Sequence, residues 1–215
     1  MMSEDICIKD KIIASALKNI NFDGWSEKSI LSGFEECNVD KSKYSDLFPN
    51  GKLDAILHFA SYTDRLMLER YQKTKLALER VPEKIKFLLL ARFEILNPNK
   101  EAVRKSLVIV SLPQNAKFAI KSLYETTDSI WRALGDKATD FSFYTKRGTL
   151  AGVYSSTLMS WLGSNDPDLN KLEEFLDRRL DNVKLIGQLS KPLKEKINFA
   201  FDQFGKFSFS NFNRS

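Results

Sequence analysis

Apolar residues recur along most of the chain at spacings of three and four, the period of a helix with one buried face. Ile12, Ile13, Ala16, Leu17 and Ile20 make the first such face, which ends near Asp23 and Gly24. Ser26 is predicted to cap a second helix carrying Ile30, Leu31 and Phe34, which ends around Cys37 and Asn38. Asp40 is predicted to cap a short third helix with Tyr44, Leu47 and Phe48, stopped by Pro49-Asn50-Gly51. A long fourth helix runs from about Lys52 toward Leu78. Pro82 suits the first turn of a helix reaching Leu96, and Asn97-Pro98-Asn99 separates it from one ending near Leu112. Pro113 opens the next, which reaches Leu134 and stops at Gly135. Thr139 or Asp140 caps a stretch to Leu162, and Asn165-Asp166-Pro167 starts another over Leu169 to Ile186.

After Ser190-Lys191-Pro192 the pattern changes character. Leu193, Ile197, Ala200, Phe201 and Phe204 share one helical face, with Phe207 at its border and Lys194 and Lys196 on the flanks; Phe199 falls on the polar side. No stretch alternates in the manner of a strand. The expected fold is an all-α bundle of nine or ten helices, with a helix-turn-helix-like module over 7–51, a helical bundle over 52–189 and an amphipathic helix over 190–212.

Composition narrows the chemistry. The chain has 215 residues, two cysteines 30 positions apart and one histidine, His58. A zinc site of several imidazoles and a di-iron bundle with a Glu-x-x-His on each of two helices are both excluded. His58 lies in Ala55-Ile56-Leu57-His58-Phe59-Ala60, with no nucleophile elbow nearby, and reads as a packed helix residue. There is no GxGxxG and no GxxxxGK[ST]. No metal or cofactor is implied, and nothing makes a positive case for an enzyme. The longest strongly apolar runs, Phe87 to Ala91 and Leu107 to Val110, fall far short of the roughly 20 residues a bilayer span needs. The Arg-free acidic start at Met1 to Asp5 fits neither a signal peptide nor a mitochondrial presequence. A cytoplasmic bacterial protein, or a mature chain already processed, is therefore expected.

Charge is uneven. Residues 1–64 carry 7 Lys, no Arg and 11 acidic side chains, whereas 65–184 and 185–215 are both net basic. Asn38 to Leu53 resembles the second half of a TetR-type DNA-binding module, in which the short helix reads the major groove. A net negative module without arginine opposes phosphate binding and lacks the commonest guanine contact. Lys41, Lys43 and Tyr44 remain the groups able to touch a DNA backbone. A transcriptional regulator sensing an apolar ligand is thus the alternative reading, with DNA an unfavoured partner.

Gly135 through Thr157, including Asp140-Phe141-Ser142-Phe143-Tyr144-Thr145-Lys146-Arg147-Gly148, resembles the most recognisable stretch of the coenzyme-Q-nine family of ubiquinone-biosynthesis accessory proteins. Gly24-Trp25-Ser26, Leu47-Phe48-Pro49-Asn50-Gly51, Ile130-Trp131-Arg132, Pro167-Asp168 and Phe175-Leu176-Asp177-Arg178-Arg179 extend the resemblance in order along most of the chain.

The resemblance implies a TetR-like all-α fold, usually dimeric, that binds isoprenoid quinone intermediates and other lipids. It implies presentation of them to a separate di-iron hydroxylase, so the iron chemistry belongs to the partner. The family's Trp-Tyr pair on the hydroxylase-facing surface corresponds to Phe143-Tyr144, so the Trp is replaced, and Ser142 stands where Asn is common. Phe143, Tyr144, Lys146 and Arg147 are the expected partner-binding residues. From the residues alone, Thr139 or Asp140 caps a helix, Phe141 and Tyr144 pack in the core, and Lys146 and Arg147 are solvated or pair with Asp177 or Asp181.

A lipid cavity is expected within the bundle beyond the first four helices, with Leu88, Leu89, Phe93, Leu123, Ile130, Leu150, Val153 and Leu158 as candidate lining, although each taken singly reads more readily as ordinary core. The family uses a carboxy-terminal amphipathic helix to reach the bilayer. Leu193, Lys194, Lys196, Ile197, Phe201, Phe204 and Phe207 are the corresponding membrane-binding candidates, and docking of that helix on its own bundle is the competing reading. Together these give a non-enzymatic accessory protein, peripheral to the inner face of a bacterial membrane.

Overall fold

Ser26 begins the second helix as its sequence suggests: its Oγ accepts the Ser29 N–H at 3.1 Å, satisfying one of the donors that a helix start leaves unpaired. The computed structural model describes residues 4–74, 78–139, 141–164 and 169–188. Over these the chain is all-α, with no strand. The helices are α1 (Glu4–Asp23), α2 (Glu27–Glu36), α3 (Tyr44–Leu47), α4 (Lys52–Lys73), α5 (Val81–Leu96), α6 (Lys100–Val110), α7 (Ala116–Ala133), α8 (Phe141–Gly163) and α9 (Leu169–Gln188). No described helix is long and apolar enough to cross a membrane. The amphipathic stretch over 190–212 and the cap candidate Asp140 lie outside the described residues.

Helices α1 and α2 form the closest pair. Ile12, Ile13, Ala16 and Ile20 meet Ile30 and Phe34 in the core, and Gly33 lets the two backbones approach. A Cβ at Gly33 would stand 2.2 Å from the Ile12 carbonyl oxygen. Asn38, at φ 53°, turns the chain out of α2. Asp40 then caps a 3₁₀ turn, Lys41–Lys43, by accepting the Ser42 N–H at 2.9 Å. The expected third helix is therefore a 3₁₀ turn followed by one turn of α-helix. Gly51, also at positive φ, redirects the chain into α4, whose first turn is held by Asp54 accepting the Asn50 N–H at 2.7 Å.

Helix α6 ties this amino-terminal unit to the rest. Trp25 Nε1 donates to the Ala102 carbonyl at 2.8 Å, and the Ala102 N–H donates to Asn21 Oδ1 at 3.0 Å. Lys105 Nζ reaches the carbonyls of Asn21 and Phe22 in the last turn of α1, at 2.7 and 2.6 Å. On its other flank Arg104 donates to the Leu162 carbonyl at 2.8 Å and Lys100 to that of Ser164 at 2.6 Å, at the end of α8. Three cations of one helix thus satisfy the orphan carbonyls, and the negative dipole ends, of two others.

Element ends differ from expectation in two places. Helix α4 stops at Lys73 rather than running toward Leu78, because Thr74 turns extended and its hydroxyl bonds the Arg70 carbonyl at 2.8 Å. Helix α6 stops at Val110, and Leu112 is extended because the residue before a proline is driven out of the helical region.

Gly33→Ala is expected to cost about 1–3 kcal/mol, since the obstacle is backbone and not a movable side chain. In thermal unfolding followed by circular dichroism this lowers the midpoint by about 3–10 °C. Gly152→Ala, where a Cβ meets nothing within 4 Å, leaves the midpoint unchanged or raises it. Equal behaviour of the two variants would contradict the close α1–α2 contact.

Candidate functional site

One side of the bundle encloses a half-open cavity of about 210 Å³. Its wall is built by α4 (Ile56, Phe59), α5 (Leu96), α6 (Val103, Leu107, Val110), α7 (Ala119, Leu123) and α8 (Leu158, Met159), and is predominantly apolar. Met159 is 56 % exposed at the rim. Arg92, Thr126 and Tyr154 supply a polar floor, with the Ser106, Ser122 and Ser155 side chains also on the lining.

The floor is a buried network joining four helices. Arg92 on α5 forms an ion pair with Asp64 on α4, and both are buried. Arg92 Nε donates to Tyr154 Oη on α8 at 3.1 Å, and its guanidinium lies 5.3 Å from the Tyr154 ring centre. Thr126 on α7 donates its hydroxyl to Asp64 Oδ2 at 3.0 Å. Burial pushes the Asp64 carboxyl above the ordinary carboxylate range, while Arg92 and the Thr126 hydroxyl oppose the rise. Such a pair is tolerated because its members satisfy each other and the remaining lone pairs find donors.

Of the eight residues expected to line a lipid cavity, Leu123 and Leu158 do. Leu88, Leu89, Phe93, Ile130, Leu150 and Val153 are instead packed into the core away from it. Phe93, for example, lies against Tyr154 and Trp161, with ring centres 5.9 and 5.5 Å apart. Helix α5 turns Leu96 and Arg92 to the cavity and its Leu-rich face to the interior. The polar floor escaped the sequence reading. Its signal was an arginine directly following the run Leu88-Leu89-Leu90-Ala91, a position that demands a buried partner.

A second cluster gathers at the α7–α8 turn, where Gly135 adopts φ 78°. Tyr144 is 53 % exposed, so the reading of it as a core contact is corrected; its ring meets the half-buried Phe143 edge-on at 5.1 Å. Arg147 is only 4 % exposed, and this corrects its expected place on a partner surface. Its guanidinium covers the Phe143 ring at 3.5 Å and bonds Asp128 at 2.7 Å and Asp136 at 3.1 Å. Lys146 bonds Asp136 at 2.6 Å and lies over Trp131, whose Nε1 donates to the Lys146 carbonyl at 3.1 Å. The carboxylates serving Lys146 and Arg147 thus come from α7 and the turn after it, whereas Asp177 of α9 pairs with Lys86 at 2.8 Å. The two bases of α8 pin the turn and position Phe143 and Tyr144. Together Lys146 and Arg147 hold the Asp136 carboxyl below its usual range.

His58 is a packed residue, as read from its neighbours. Its Nε2 lies 2.7 Å from Asp10 Oδ1, its ring meets Phe48, and burial lowers its pKa against the opposing pull of Asp10. In the amino-terminal unit Lys41 pairs with Glu35, and Tyr44 packs between Phe34 and Phe48. The seven membrane-binding candidates of the tail lie outside the described residues.

Comparison with known proteins matches residues 116–187, from the first residue of α7 into the last turn of α9, to the COQ9 family model. Across a longer span the chain is 27 % identical over 194 residues to the rat protein named ubiquinone biosynthesis protein COQ9, mitochondrial, covering 87 % of this chain and 62 % of the relative. The Drosophila melanogaster protein of the same name is 30 % identical over 189 residues, covering 86 % and 58 %. The human one is 26 % identical over 194 residues, covering 87 % and 61 %. The chain spans about three fifths of the length of these relatives. The resemblance read from Gly135 to Thr157 is borne out. The expected bacterial location does not stand, since each of these relatives is named mitochondrial. An acidic, Arg-free segment carries no information about compartment.

Arg92→Met is expected to cost about 3–5 kcal/mol in urea unfolding, because Asp64 is left buried without its partner. The double variant Arg92→Met, Asp64→Leu recovers most of that loss, since an apolar pair needs no compensation. A loss under about 1 kcal/mol for the single variant would show that the network does not join the four helices.

Proposed function

We propose that this chain acts in mitochondrial ubiquinone biosynthesis as a lipid-binding accessory protein. On this reading it carries isoprenoid quinone intermediates and presents them at a membrane surface to a separate di-iron hydroxylase. The observation that carries the proposal is the half-open apolar cavity, found in a chain whose α7–α9 segment matches the COQ9 family. The apolar side chains Val108, Ile120 and Tyr124 are exposed on α6 and α7, two of the helices that wall the cavity. They offer an apolar approach for a long-chain lipid. The division of labour puts redox chemistry on the partner and leaves binding and orientation to this chain.

The face for the hydroxylase is the α7–α8 turn. Tyr144 projects from it and Phe143 backs it, held by Arg147 against Asp128 and Asp136. An exposed tyrosine on a pinned support is an economical anchor, because few rotamers are lost when a partner covers it. Membrane contact is assigned to the amphipathic stretch from Leu193 to Phe207, whose aromatic face and flanking lysines suit an interfacial helix.

Tyr144→Ala is expected to reduce capture of the hydroxylase from the same organism by at least tenfold in a pull-down with purified proteins. Its thermal midpoint stays within about 2 °C of the parent, as for an exposed side chain. Undiminished capture would remove this face from the proposal.

A further inference from the structure

The cavity floor distinguishes between the two ends of a prenylated ring. We infer that this cavity takes the ring and not the chain: an uncharged, ring-sized group bearing a hydrogen-bond-accepting oxygen, which the Tyr154 hydroxyl recognises. The inference rests on the proposed lipid-binding role and specifies which part of the ligand enters.

Size argues first. An apolar cavity of about 150 Å³ accommodates benzene, so about 210 Å³ suits one ring with small substituents. A polyprenyl chain is far longer than this space and has to leave past the rim, where Met159 is exposed.

Charge argues second. Among the described residues Arg92 is the one cation on the lining, and its ion pair with Asp64 neutralises it. A floor without net charge gives an anionic headgroup no recompense for losing its water, whereas a neutral ring loses little.

Hydrogen-bond direction argues third. Tyr154 Oη accepts the Arg92 Nε–H at 3.1 Å, which leaves its own O–H to donate. An O–H that already accepts from a guanidinium is polarised and is the stronger donor for it. A carbonyl oxygen presented to the floor satisfies that proton, and the Ser122 and Ser155 side chains lie on the same lining for a second oxygen. A hydrocarbon chain would bury the same O–H proton without an acceptor.

The test compares duroquinone with durene, the same tetramethyl ring without its carbonyl oxygens, by saturation-transfer NMR on the full chain. Duroquinone is expected to bind the parent more tightly than durene. Tyr154→Phe, which keeps the ring and its contacts with Arg92 and Phe93, is expected to weaken duroquinone roughly three- to tenfold and leave durene unchanged. Ser155→Leu, which fills the wall, weakens both. Thermal midpoints of the two variants near the parent's establish that they fold. Equal binding of the two probes, or a Tyr154→Phe variant that binds duroquinone normally, overturns the recognition of oxygen while leaving lipid binding intact. Binding of farnesol without either ring compound overturns the ring-first inference as a whole and leaves the lipid-binding role standing. No binding of any of the three overturns both this inference and the lipid-binding role.

Discussion

Two opposite charges with almost no access to water set the geometry of this bundle. Asp64 and Arg92 belong to different helices, and each is tolerable only where the other stands. Thr126 and Tyr154 complete the set from two further helices. Their contacts fix how α4 is rotated against α5, α7 and α8. Replacing such a network with apolar side chains need not weaken a fold, so its contribution is register more than net stability. That register also explains why the cavity exists at all. The paired floor is held in place by its partners on four helices and does not move to close the space.

Helix α6 transmits the arrangement to the amino-terminal unit. One of its faces lines the cavity through Val103, Leu107 and Val110, while Ala102 and Lys105 bond Trp25, Asn21 and Phe22. Its basic residues lie against helix ends, where a cation is worth most, because the terminal carbonyls need donors and the dipole needs positive charge. Much of the chain's basic excess beyond Asp64 is therefore structural. Arg92, Arg104, Lys105, Lys146 and Arg147 all hold backbone or carboxylate partners within the protein.

The sequence was most informative where local chemistry decides structure. Ser26, Asp40, Pro82, Pro113 and Gly135 punctuate the chain where they were expected to, because caps, prolines and positive-φ turns act within a few residues. The three-to-four periodicity identified the buried faces of α1 and α2 for the same reason. The candidate site was legible only in part. Leu123 and Leu158 were placed on the cavity, but Phe93 and Ile130 were not separable from them. All four are apolar, and only the packing angle between helices decides which faces a void. Arg147 looked like a surface cation and proved to be the support beneath Phe143. Its carboxylate partners come from α7 and the following turn, a pairing that helical periodicity does not encode. The Arg92–Asp64 floor was readable in principle, as two charges in apolar surroundings on different helices, but no local signal says that they meet.

On the function proposed above, this bundle carries a prenylated lipid in its cavity. Native mass spectrometry of the full chain, followed by organic extraction and analysis of whatever is released, tests it most directly. The account predicts a protein species with excess mass that yields a prenylated quinone or a related isoprenoid on extraction, and loss of that mass in a variant whose cavity is filled. A parent chain that emerges at its sequence mass, with nothing in the extract, would contradict it.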